Sequence, residues 1–236
     1  MKKRMLALLC AAALAASWSV TAFAQEDTAA EEQQKVSKTN KFYGTIKKTE
    51  EAEGKRFLLN ANTPGTGETQ DMLLNVSDET LILDAVSGMP VSLSDIQDGS
   101  IAYTYVSPMM ALSYPPQVSA YVVLTKIPAD YRVPSLEEVK KLTMNEDGSA
   151  VVETVSGTTY HVPADCSVIP YLTRNMVYID SLTEGTNFLI WSELSADGQT
   201  EKASRIMIFA RGQLPFDQPF GPAEEADFNN LMVPIN

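Results

Sequence analysis

The sequence predicts a mainly β protein made of two tandem modules with short helical turns, and three observations carry that expectation. Short segments rich in β-branched and aromatic residues recur along the chain, separated by turn-forming residues. A pattern in the first half returns in the second. At 44% hydrophobic residues over 236 positions, the chain has the apolar content for one large or two small cores.

The chain opens with Lys2, Lys3 and Arg4, an apolar run over residues 5–16, and Ala22-Phe23-Ala24, the layout of a secretory signal with its cleavage site. Residues 1–24 are therefore expected to be a signal peptide. Cys10 lies too early in the apolar run to serve as a lipidation site. No later apolar stretch approaches the roughly 20 residues that span a bilayer, so no membrane span is expected. Residues 25–40, QEDTAAEEQQKVSKTN, are polar and without aromatics, and read as a disordered leader.

The first module is expected over residues 41–128, with strands at 42–46, 57–60, 72–76, 101–106 and 120–126. A linker follows at 129–137. Its Ser135, with Glu138 three residues on, reads as a capping box that starts a short helical turn. The second module is expected over residues 138–211, with strands at 139–144, 150–155, 188–194 and 204–209. Asp147-Gly148 and Asp197-Gly198 sit where tight hairpin turns need a glycine. Residues 212–236 contain Pro215, Pro219, Pro222 and Pro234 and read as an extended tail. Its Phe216, Phe220 and Phe228 are free to dock on the second module or on a partner.

The internal echo ties the modules together. DETLI at 78–82 returns as DCSVI at 165–169, and Leu93, Ile96 and Gly99 match Ile179, Leu182 and Gly185. In both places apolar residues three apart plug one helical turn into a core, and the glycine releases the chain into the next strand.

"YGTIKKTE", "LLNVSDETLILDAVSGMPVSLSDIQDGSIAYTYV" and above all "ALSYPPQVSAYVV" resemble a β-barrel module of secreted Firmicute proteins, sometimes found beside copper-amine-oxidase-like N-terminal domains. The resemblance covers the first module and implies an extracytoplasmic, OB-like barrel. It brings no catalytic residues, and this chain lacks the neighbouring domain. With the echo, it makes the expected fold two tandem small β-barrel, OB-like modules.

Charge narrows the partners. Removing residues 1–24, which hold three basic and no acidic residues, takes the net charge from −12 to −15. That excess argues against nucleic acid, whose phosphates call for clustered Lys and Arg, and against adsorption to anionic lipid. Cys166 is then the single cysteine, so no internal disulfide forms.

No cofactor is expected. His161 and Cys166 are close enough in sequence to raise a thiol–imidazole pair, but the pair has no third group to orient it; both read better as structural residues. One His and one Cys do not supply a zinc site. Asp95 with Asp98, and Asn145, Glu146 and Asp147, offer oxygen ligands without the alternating spacing of a calcium loop, and read as solvated turns. Trp191, Tyr103 and Tyr105 form either a stacking surface for sugar or peptide or ordinary sheet packing, the latter being the commoner role of strand aromatics.

The remaining candidate is the stretch Tyr114, Pro115, Pro116 and Gln117, expected to bind a partner in the form of an envelope protein, peptide or glycan. Proline fixes φ near about −65° and stiffens the residue before it, so the stretch is extended and poor in donors. Either Pro116 blocks pairing at an exposed sheet edge, which the general need for edge protection favours, or the stretch is a preorganised contact. The functional expectation is a secreted, non-catalytic binding or scaffold protein of the cell envelope. The alternative is an extracytoplasmic hydrolase, which would show a cleft of converging polar groups where a binding module shows a shallow aromatic or proline-bearing surface.

Overall fold

A computed structural model describes residues 37–49, 55–63, 66–195 and 200–217. The expected signal peptide, residues 25–36 of the leader, the Asp197-Gly198 turn, and Phe220 and Phe228 of the tail lie outside them.

Alternation of side chains builds the first strands. In β1 (Asn40–Lys48), β2 (Lys55–Asn62) and β3 (Thr69–Val76), Ile46, Phe57, Leu59, Ala61, Met72 and Leu74 point to one face and are buried, while their neighbours point outward. These strands form an antiparallel meander. A short strand β4 (Leu81–Asp84) and one 3-10 turn at Leu93–Asp95 follow, then β5 (Ser100–Ala111) and β6 (Gln117–Thr125). β5 pairs antiparallel with both β1 and β6, and β6 pairs parallel with β3, which closes a five-stranded barrel of OB-like order. β4 adds to β6 in parallel from outside the ring.

The second half repeats this path. β7 (Ser135–Met144), β8 (Ala150–Thr154) and β9 (Thr159–Val162) form the meander. β10 (Ser167–Pro170), a 3-10 turn at Ile179–Ser181, β11 (Asn187–Leu194) and β12 (Glu201–Ile208) follow. β12 pairs with β11 antiparallel and with β9 parallel, β11 returns to β7, and β10 adds to β12 from outside.

The echo marks equivalent joints in the two barrels. Gly99 and Gly185 both take φ +81°, and each donates its N–H to the first strand of its own barrel, to the Ile46 carbonyl at 2.9 Å and the Val139 carbonyl at 2.8 Å. A left-handed backbone at this release point is open to glycine and costly for other residues.

Each barrel has its own core, around Phe57, Leu59 and Leu74 in the first and Phe188, Ile190 and Ile206 in the second. A third apolar cluster joins them. Leu83, Tyr105, Val122 and Leu124 of the first barrel pack against Leu136, Leu189, Trp191 and Met207 of the second. Most of these side chains come from equivalent outer faces, β5 with β6 on one side and β11 with β12 on the other, with Leu83 added from β4 and Leu136 from β7. The junction therefore resembles a two-fold dimer interface written into one chain. It also explains why "YVVLT", "FLIW" and "RIMIF" are continuous apolar runs, because strands covered on both faces have no solvent side to keep polar. Three polar contacts fix the register. Trp191 Nε1 donates to the Ala85 carbonyl at 2.9 Å, the Leu136 N–H donates to Tyr105 Oη at 2.9 Å, and Arg205 lies 3.6 Å over the Trp191 ring with its guanidinium on the Val86 carbonyl.

Two local expectations change. Residues 135–137 belong to β7, with no helical turn, because Ser135 and Leu136 pair with Ile190 and Leu189 and the Glu138 side chain reaches Lys38 rather than back to a cap. The tail is not wholly extended. Leu214 is fully buried in the junction, Pro215–Asp217 forms a 3-10 turn, and the Phe216 ring meets Tyr121 at 5.5 Å.

Candidate functional site

The proline stretch forms the connection between β5 and β6. Tyr114-Pro115 is a cis peptide bond, and Ser113 Oγ donates to the Pro115 carbonyl at 2.7 Å. The Pro116 carbonyl accepts the Leu73 N–H at 2.8 Å, and Gln117 then pairs with Leu73 as the parallel closure begins. Proline suits this position because the ladder uses its carbonyl and needs no donor from it. The edge-protection reading loses its premise. β6 has β5 on one side and β3 and β4 on the other, so the prolines stand at the start of a strand paired on both flanks.

This anchoring turns two side chains outward. Leu112 is 104% and Tyr114 is 101% exposed, and Met109 on the same hairpin is 69% exposed; Pro115, Pro116 and Gln117 are half-buried beneath them. Residues 99–125 contain no Asp, Glu, Lys, Arg or His, in a chain of which 20% is charged. The hairpin is an uncharged segment with exposed apolar side chains on a fixed base.

The other candidates resolve differently. His161 sits in β9 and Cys166 in the turn before β10; Cys166 lines cavities that His161 does not. Burial, with Asp165 beside it, pushes the Cys166 thiol up to about 11, the opposite of an activated nucleophile. Trp191 is only 6% exposed and Tyr105 is buried, so both serve the junction; Tyr103 stacks on Tyr43 at 5.2 Å on the outside of the first barrel. In the 145–149 hairpin turn, Asp147 Oδ1 accepts both the N–H and the Oγ of Ser149, and Asp98 Oδ1 accepts the Lys48 N–H. Those carboxylates serve their turns. Among the described residues no group of three or more His, Cys, Asp or Glu is placed to hold a metal ion.

One constellation was invisible in the sequence. A polar cleft of about 540 Å³ opens where Lys38, Glu138 of β7, the 183–187 turn and residues 216–217 meet. Lys38 Nζ lies 3.2 Å from Glu138 Oε2 and 3.7 Å from Asp217 Oδ1, and Asn187 Nδ2 donates to Asp217 Oδ1 at 2.9 Å. Burial raises the Asp217 pKa, against the pull of Lys38. On the opposite face of β7, Glu137 accepts from Ser156 Oγ at 2.6 Å and from Tyr160 Oη at 3.3 Å. Burial raises its pKa too, although these hydrogen bonds and Lys41 work the other way. Positions 38, 138, 187 and 217 are remote in the chain, and no spacing rule links them.

No family profile matches the chain, and no curated protein matches it. Among solved structures it is similar to a murine DNA-binding protein bound to double-stranded DNA, at 11% identity over 75% of this chain and 95% of that one, with a TM-score of 0.19. A likeness of that size bears on neither fold nor function.

Proposed function

We propose that the chain is a secreted, non-catalytic binding or scaffold protein of the cell envelope whose contact is the β5–β6 hairpin. The observation that carries this reading is the full exposure of Leu112 and Tyr114 on a hairpin tied to a closed barrel through the Leu73–Pro116 hydrogen bond. A fixed base lowers the ordering cost of binding, and a projecting tyrosine is a common anchor side chain. Secretion rests on the signal layout of residues 1–24, and the acidic balance disfavours nucleic acid. Among the described residues no helix is long and apolar enough to cross a membrane. The partner classes are an envelope protein, a peptide or a glycan.

The polar cleft favours a second reading as an extracytoplasmic hydrolase. Its Glu138 and Asp217 are both engaged by Lys38, so hydrolysis there requires Lys38 to move aside. Co-sedimentation with isolated cell-wall sacculi and washed envelope fragments separates the two. The wild type is expected in the pellet, and Leu112→Ser/Tyr114→Ser is expected to bind at least about tenfold more weakly with an unchanged Tm. Release of soluble wall fragments that survives the hairpin change and is lost in Glu138→Gln would replace the binding reading with the hydrolase.

A further inference from the structure

In the polar cleft the chain already holds an ammonium group. Lys38 Nζ lies 3.2 Å from Glu138 Oε2, 3.7 Å from Asp217 Oδ1 and 5.8 Å from the centre of the Phe216 ring. The partners differ in standing. The Glu138 and Asp217 side chains are 9% and 10% exposed and belong to β7 and the 215–217 turn, whereas Lys38 is 39% exposed and reaches in from the lead to β1 of the other barrel. Residues 37–39 close on themselves, with Ser37 Oγ donating to the Thr39 carbonyl at 2.9 Å. Two carboxylates and an aromatic ring set in a wall form a receptor for a small cation, and the lysine is the part that enters from outside. Burial, and after it the Glu138 charge, raise the Asp217 pKa while Lys38 lowers it, so the pair calls for a cation beside it. The cleft of about 540 Å³ stays open with Lys38 in place and is lined further by Thr183, Thr186 and Arg211.

We propose that the cleft is a binding site for the primary ammonium group of an external amine, and that Lys38 occupies it as a stand-in which such a ligand displaces. The exchange is cation for cation, so the carboxylates keep a charge to face and the cost of burying a new ion pair does not arise. A primary ammonium is a compact charge that fits between the two carboxylate oxygens where Lys38 Nζ sits, which a broader, planar guanidinium does not reproduce. Tethering sets the threshold. A lysine held by its own chain competes at an effective concentration on the order of millimolar, so an amine binds the wild type weakly unless it also uses the open part of the cleft. The site does not involve the hairpin, and the inference stands apart from the reading of the hairpin as the envelope contact.

Chemical rescue tests it. Lys38→Ala, a change at an exposed residue before β1, is expected to bind n-butylammonium at least about tenfold more tightly than the wild type does in isothermal titration, and to gain Tm as the amine is added. Sodium chloride at the same ionic strength and n-butanol at the same concentration are expected to give neither effect. Adding Glu138→Gln and Asp217→Asn to Lys38→Ala is expected to abolish both. Lys38→Ser repeats the series should Lys38→Ala fail to fold. The capped peptide acetyl-Ala-Lys-Ala-amide separates the sources of the ammonium: binding tighter than that of n-butylammonium assigns the site to a peptide side chain, and weaker binding assigns it to a free amine. An amine that binds Lys38→Ala no better than the wild type, a Tm gain that sodium chloride matches, or binding that survives loss of both carboxylates would overturn the proposal. Leu112→Ser/Tyr114→Ser placed in the Lys38→Ala chain is expected to leave amine binding unchanged, so failure of the hairpin reading and failure of this one are read separately.

Discussion

The two barrels follow the same path and diverge most at one connection. β5 runs for 12 residues where its counterpart β11 runs for 8, and the extra length is taken up by register shifts between Tyr105 and Met110, because the returning strands β6 and β12 differ by one residue. The first carries "ALSYPPQ" where the second carries "LSADGQT". The β5–β6 and β11–β12 faces that meet at the junction have stayed equivalent, whereas the proline-bearing connection has no counterpart in the sequence of the second barrel. Equivalence therefore marks what the fold needs. Divergence marks where function is sought, because closing the barrel asks nothing of Leu112 or Tyr114.

The largest effect is expected from separating the barrels. A fragment of residues 37–130 exposes Leu83, Val122 and Leu124, each of which contributes on the order of 1.5–3 kcal/mol when buried. It is expected to bind ANS and to lack the cooperative thermal transition of the whole chain; a fragment as stable as the whole would show that the junction is dispensable. Within the intact chain, Trp191→Ala removes the central junction side chain and its bond to the Ala85 carbonyl. It should cost about 3–5 kcal/mol in denaturant unfolding, lowering the midpoint of a single transition. Two separate transitions in that variant would instead mean that the barrels unfold independently.

Gly99→Ala and Gly185→Ala sharpen the equivalence. Both positions have φ +81° and no close neighbour to meet a new Cβ, so the loss is backbone strain alone, about 1–2 kcal/mol, and is expected to be the same in each barrel. Clearly unequal losses would break the correspondence of the two joints.

A smaller effect distinguishes the barrels by pH. Burial raises the Glu137 pKa above its unfolded value, so the native state holds that proton more tightly than the unfolded state does. Its contribution to stability therefore rises as pH falls from neutrality through the raised folded pKa, and levels off below the unfolded value of about 4.3. Measured between pH 7 and pH 5, the wild-type Tm should gain on that of Glu137→Gln; parallel Tm profiles would assign the pH response elsewhere. Smallest of all, Leu112→Ser/Tyr114→Ser should leave unfolding free energy within about 0.5 kcal/mol of wild type, since neither side chain is buried.

The strands, the two modules and their joints were legible because they depend on local pattern. Period-two alternation located β2 and β8, and the echo located the two 3-10 turns and Gly99 with Gly185. The short strands β4 and β10 were not read as strands, although the echo spans both, because four residues added to the outside of a ring carry little alternation of their own. Ser135 and Glu138 carried a genuine capping signal, which tertiary pairing with β11 overrode. The shared core was latent in the continuous apolar runs, which do not say what covers their second face. Tyr114 through Gln117 were found by their stiffness, but the reason for it was hidden, since only closure against Leu73 shows that these prolines begin a doubly paired strand. Lys38, Glu138, Asn187 and Asp217 had no signal at all, because the fold alone gathers them.

The most direct measurement exchanges the connection that differs. Replacing residues 108–116 with the sequence of residues 195–200 gives the first barrel the second barrel's turn and leaves β3, β6 and the junction in place. The account predicts a chain that unfolds in one transition near the wild-type Tm and no longer co-sediments with cell-wall sacculi. A chain that keeps its fold and still binds them as tightly as the wild type would contradict the claim that the hairpin is the contact.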